Sequence, residues 1–240
     1  MKKKVLIAIA FLLLPVTILT IAIIRRESSY QGIAVGECFE ELKPGQTSPA
    51  LIAIKKMGAA AVPILENALR SQDPFPQIKA CWALQELGPV ASDAVPDLVQ
   101  TLDDDQSAPR VYAMEALTAI GTTRADLVPR MAAKLQDGNE CCDAANLLDA
   151  IQRERTAKNL PPVYADEYEY AMLFVHAAWP SVRLRALPKL PLNDKRSMQA
   201  FEILLNDPNG WAREQTATFL KEHNIIITNT AGPIFNTPQR

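Results

Sequence analysis

Histidine occurs only twice in this 240-residue chain, glycine nine times, and aromatic residues make up 6% of it. Each scarcity excludes something. His176 and His223 stand outside any H-E-x-x-H pattern, and no histidine spacing suggests zinc. The glycines form neither a G-x-x-x-x-G-K-[ST] phosphate loop nor a G-x-S-x-G nucleophile elbow. β-Branched and aromatic alternation is scarce, so sheets are not expected. The four cysteines, Cys38, Cys81, Cys141 and Cys142, contain no C-x-x-C pair. Cys81 falls on a predicted core face, and the adjacent Cys141 and Cys142 read as incidental. His176, within "MLFVHAAW", reads as a half-buried packing residue. No catalytic residue, cofactor site or metal ligand is predicted.

What is present is ordinary globular composition, 48% hydrophobic and 22% charged, on a chain long enough to bury a core. Eighteen prolines, twice the number of glycines, predict many short helices with proline-marked ends. Residues 1–26 are a separate object. "MKKK" precedes 20 uncharged, mostly apolar residues, Val5 to Ile24, and Arg25-Arg26 follow. As a helix that run spans roughly 30 Å, enough to cross a bilayer core. It is read as a single-pass anchor, with a cleaved leader as the alternative. Three lysines before the span against two arginines after it favour an exported C-terminal part. Lys2, Lys3, Lys4, Arg25 and Arg26 are five of the 25 basic residues; the remaining 20 face 27 acidic ones, a balance of −7 from Glu27 onward. Such a domain is a poor partner for phosphate backbones, and no nucleic acid is expected.

The informative pattern is a repeat. Val62-Pro63, Val95-Pro96 and Val128-Pro129 are spaced 33 residues apart. Leu65, Leu98 and Met131 then correspond, as do Leu69, Leu102 and Leu135, on one helical face. A preceding helix shows the same step. Ala80, Leu84 and Leu87 match Ala113, Leu117 and Ile120, and then Ala144, Leu148 and Ile151. Gly58, Gly88 and Gly121 close those helices as left-handed stops. The prolines belong in the first turn of each second helix, where an amide would lack a partner anyway. Acidic turns follow, at Asp73, Asp103–Asp105 and Asp137, and read as solvated.

Units of about 30 residues with two helices each indicate stacked helical hairpins. The motif residues Asp73-Pro74, Ala83-Leu84, Gly88 and Ala94-Val95-Pro96, then Arg110, Ala116-Leu117 and Gly121, resemble HEAT repeats of the phycobilisome-lyase-like variety. The likeness extends, with gaps, through "WPSVRLRAL" and "DPNGWAREQTATFL". It implies that Arg110, Arg183 and Arg213 reach turn carboxylates of adjacent units. Pro188 interrupts the fifth first helix, and Tyr164 to Ala178 is predicted as a second helix.

The expected fold is thus all-α, an α–α superhelix of about five hairpins preceded by one transmembrane helix. Residues 1–26 form the anchor or signal segment, 27–46 a tether and cap, 47–222 the repeats, and 223–240 a loose tail, with docking of "NIIIT" on the last unit as a cap as the alternative. The expected function is a non-catalytic protein-binding scaffold at a membrane, held through residues 5–24. The alternatives are a bilin-lyase-like enzyme, which only the resemblance implies, and a secreted solenoid. The predicted interaction surface is Asn67, Arg70, Asp97, Gln100, Arg130 and Lys134 on the second helices. The basic set Arg183, Arg185, Lys189, Lys195 and Arg196 reads as a solvated face.

Overall fold

Short polar side chains open several of the helices. In the computed structural model, which describes residues 29–30, 33–164, 166–227 and 234–235, Ser48 Oγ accepts from Leu51 N at 3.2 Å and opens α2 (Pro49–Met57). Asp73 accepts from Phe75 N and opens α4 (Pro74–Leu87). Each supplies an acceptor that first-turn amides lack within the helix. The next two first helices, α6 (Ser107–Ile120) and α8 (Cys141–Ala157), begin without a side-chain cap.

The Val-Pro pairs stand where the sequence places them. They begin α3 (Val62–Leu69), α5 (Val95–Thr101) and α7 (Val128–Lys134). Each of these helices follows a 3₁₀ segment, at Gly58–Ala61, Gly88–Ala94 and Ala125–Leu127. The glycine stops differ from one another. Gly121 is left-handed, with φ 77° and ψ 51°. Gly58 and Gly88 have φ near 58° but ψ of −130° and −138°, which departs from the simple stop expected. That backbone is closed to residues with a Cβ, and it turns the chain straight into the 3₁₀ segment.

The helices form two layers. First helices stack in order, α2 on α4, α4 on α6 and α6 on α8, with α4 and α6 most extensively in contact. The second helices lie alongside, with α3 packed on α4 and on α5, α5 on α6 and α7 on α8. Ala80, Ala83, Ala113, Ala116, Ala144 and Ala145 are fully buried, and their small side chains let the first helices approach closely. The aligned Leu65, Leu98, Met131, Leu84, Leu117 and Leu148 are fully buried too, so the repeat register is the core register.

Later elements are shorter. α9 runs Glu167–Val175, inside the longer helix expected, because Asp166 caps it and His176 ends it. α10 (Pro180–Arg183) passes into a 3₁₀ segment, Leu184–Lys189, that contains Pro188. α11 (Ser197–Leu205) and α12 (Gly210–Glu222) complete the helices. At the front, α1 (Val35–Glu41) buries Val35, Cys38 and Phe39 and packs on α2.

The described residues are mostly helical, as expected, and two small ladders are the exception. β1 (Ser29–Tyr30) pairs antiparallel with β2 (Ile33–Ala34), and β3 (Ile225–Ile226) with β4 (Ile234–Phe235). Strands of two residues are too short to show alternation in a sequence. Ile225 is buried against α12, so part of the tail expected to be loose docks on the last helix. The apolar run Val5 to Ile24 lies outside the described residues. Among the described residues, no helix is long and apolar enough to cross a membrane.

Leu98→Ala and Leu117→Ala each remove a side chain with no solvent exposure. Each is expected to destabilise the protein by roughly 2–5 kcal/mol in urea unfolding. A parent-like midpoint for either would contradict the register.

Candidate interaction face

The turns that join one hairpin to the next are closed by a recurrent device. A side chain near the start of the following first helix reaches back to the carbonyl six residues earlier. Gln77 Nε2 donates to Ser71 O at 2.8 Å, and Arg110 Nη1 to Asp104 O at 2.6 Å. Arg183 Nη1 donates to Ala177 O at 2.9 Å, and Arg213 Nη1 to Asp207 O at 2.6 Å. Carbonyls just past a helix end have no helical partner, and these donors satisfy them.

Two of the arginines also bridge to the next turn. Arg110 Nε donates to Glu140 Oε1 at 2.8 Å, and Arg183 Nη2 to Asp207 Oδ1 at 2.8 Å. This is the carboxylate bridging between units that the resemblance implies; among the described residues Arg213 makes only the backbone contacts to Asp207 and Pro208. Glu140 is fully buried, and Lys134 Nζ donates to its other oxygen. Burial pushes the Glu140 carboxyl up, but the hydrogen bonds from Arg110 and Lys134 override it and hold the group below the usual carboxylate range. The Arg183 guanidinium likewise holds Asp207 low.

A second set of ion pairs joins neighbouring second helices. Arg70 grips Asp97 with two bonds, of 3.2 and 2.6 Å, and Arg130 reaches Asp103 at 2.6 Å. Between them lies a cavity of about 320 Å³, at the end of α3 and along α5. Three of the residues expected on the interaction surface, Arg70, Asp97 and Gln100, line it. Asn67 is exposed on α3, one turn before Arg70, and Arg130 joins the rim through Asp103.

Lys134 departs from the expected surface. It is half-buried and committed to Glu140, so it is a structural cation. The basic set near α10 is also largely paired: Arg185 and Lys189 meet Asp149, and Arg196 bridges Asp166 and Asp194. Reading the sequence missed Gln77, Asp104 and Glu140. Gln77 carried a signal, since it stands 33 residues before Arg110. Asp104, read as part of a solvated turn, is half-buried; its carboxylate accepts from Gln106 N at 2.9 Å and its carbonyl from Arg110.

The groups with possible chemistry are dispersed. Among the described residues, no cluster of three His, Cys, Asp or Glu is arranged to hold a metal ion. His176 is exposed at the end of α9, which corrects the half-buried reading; the apolar residues beside it turn inward without it. His223 stacks on Phe219. The Cys81 thiol is buried in the core and pushed up to about 12. Burial, with Cys141 and Asp143 nearby, raises the exposed Cys142, which disfavours the reactive thiolate. A smaller cavity on the first-helix side carries Glu115 and Asp143, both raised chiefly by burial.

No family model matches the chain, and no curated protein matches it. The functional reading is carried by the geometry of the turns and second helices.

Because Glu140 is held below its unfolded pKa, its contribution is present above the unfolded carboxylate range, roughly pH 4.3, and is lost as pH falls through the folded value. Glu140→Gln should therefore be less stable than the parent at pH 7, with the gap closing in acid. A gap independent of pH would contradict the clasp. Glu115 is shifted the other way, so its contribution falls as pH rises through the same range and above. Glu115→Gln should leave stability at pH 7 unchanged or higher; a marked loss would contradict the burial of an unpaired carboxyl.

Proposed function

We propose that this chain is a non-catalytic protein-binding scaffold, an α-solenoid of HEAT-like units held at a membrane by residues 5–24. The observation that carries the reading is the cavity at the ends of neighbouring second helices, where one hairpin contributes Arg70 and the next contributes Asp97 and Gln100. A surface assembled from successive units is what stacked hairpins offer a partner. The ordered layering of α2, α4, α6 and α8 is consistent with it. The exported orientation of the C-terminal part follows from the flanking lysines and arginines.

Cross-linking in intact membranes, followed by mass spectrometry, tests the reading. Asn67→Lys with Gln100→Lys changes two exposed side chains on α3 and α5. The double variant should lose the cross-linked partner while its melting midpoint stays near the parent's, since exposed substitutions usually cost less than about 0.5 kcal/mol each. An unchanged cross-linking pattern would place binding elsewhere. The chain should also stay in the membrane pellet after a carbonate wash; release into the supernatant would replace the anchor with a leader.

A further inference from the structure

Asp104 and Asp207 hold equivalent places. Each lies six residues before a clasping arginine and gives that arginine its carbonyl, Arg110 to Asp104 O and Arg213 to Asp207 O, both at 2.6 Å. Each carboxylate also accepts from the amide two residues on, Gln106 N at 2.9 Å and Asn209 N at 2.8 Å. They differ in one respect. Asp207 is forked by Arg183 from the preceding unit, at 2.5 and 2.8 Å. The residue in the matching place before Asp104 is Gln77, which is shorter and uncharged. Asp104 has no ion pair among the described residues.

Gln77 itself leaves an acceptor unused. Its side chain is about nine-tenths buried and lines the cavity, and its Oε1 has no hydrogen-bond partner. The amide orientation is fixed, because Nε2 donates to Ser71 O at 2.8 Å and the reversed amide would set two carbonyl oxygens against each other. Of the three carboxylates lining the cavity, Asp97 is answered by Arg70 and Asp103 by Arg130. The negative charge left over sits on Asp104. The lining therefore suits one monocation that donates in more than one direction.

We propose that this cavity receives the guanidinium of a single arginine from the bound protein, which forks onto Asp104 and reaches the free amide oxygen of Gln77. The proposal rests on the protein-binding reading above and names the chemistry of the partner. A guanidinium fits better than an ammonium because its planar donors address a carboxylate and a second acceptor together. Arg183 does the same within this chain, with its fork on Asp207 and its remaining nitrogen on backbone carbonyls. A divalent cation fits poorly, because two of the three carboxylates are already engaged by arginines and the described residues form no metal-binding cluster.

The test titrates N-acetyl-argininamide into the full chain in detergent micelles, followed by ¹⁵N–¹H NMR. N-acetyl-lysinamide and the uncharged isostere N-acetyl-citrullinamide serve as comparisons. Argininamide should shift the Gln77 side-chain amide and the backbone amides of Ser71 and Asp104. It should bind at least ten-fold more tightly than citrullinamide. Asp104→Asn should weaken it at least ten-fold. Gln77→Arg, which supplies the guanidinium from within, should abolish binding and raise the melting midpoint. Equal binding of citrullinamide, lysinamide binding as tightly as argininamide, or wild-type binding by Gln77→Arg or Asp104→Asn would overturn the proposal. The scaffold reading fails separately. Argininamide binding without any cross-linked partner sinks the scaffold and leaves the pocket. A partner lost in the Asn67→Lys, Gln100→Lys variant but kept in Gln77→Arg, without argininamide binding, sinks the pocket and leaves the scaffold.

Discussion

A turn between two helical hairpins ends with a carbonyl that the helix cannot satisfy, and this chain answers it with a side chain reaching back six residues. The rest of the structure depends on that bond. Where the reaching residue is Arg110 or Arg183, the guanidinium has donors to spare and engages the next turn through Glu140 or Asp207. One residue then fixes both its own turn and the spacing to its neighbour. At Cys141, which cannot reach, the carbonyl six residues back is Leu135 O, and Ala178 N from the following unit donates to it at 2.7 Å. Trp179 Nε1 adds a bond to Gly138 O in the same turn. The need is met at every such turn, by different residues.

Charge follows from the same constraint. The described domain is acidic, yet its basic side chains are largely committed to bridging one element to another. Arg70, Arg130, Lys134, Arg183, Arg185 and Arg196 all meet carboxylates. The exposed pairs among them contribute little stability individually, about 0–1 kcal/mol. The fully buried Glu140 is different, because removing a partner would strand a charge away from water. Acidity on this protein is therefore local. It concentrates where a carboxylate has no cation opposite it, and Asp104 beside Gln77 is such a place.

Much of the fold was legible in the sequence. The 33-residue step of the Val-Pro pairs located α3, α5 and α7, and the leucines that share the step are the buried ones. Both signals are local and periodic, and periodicity is what a single sequence preserves. The site was less legible. Arg70, Asp97 and Gln100 were placed on one face because they follow the helical period, and they do meet at one cavity. Lys134 obeys the same period but meets Glu140, whose burial depends on Arg110, 30 residues upstream. No local pattern distinguishes a glutamate that will be buried from one that will not. The ψ angles of Gly58 and Gly88 escaped notice because the helix stop and the 3₁₀ entry use the same residue type.

The coupling of neighbouring hairpins through the turn arginines is the central claim, and native-state hydrogen exchange on Arg110→Ala tests it most directly. Arg110 ties the turn at Asp104 to Glu140 at the start of α8. Removing it should lower amide protection together in α6 and in the first turns of α8, although the two helices belong to different units. Loss of protection confined to the residues between Asp104 and Arg110 would contradict the account.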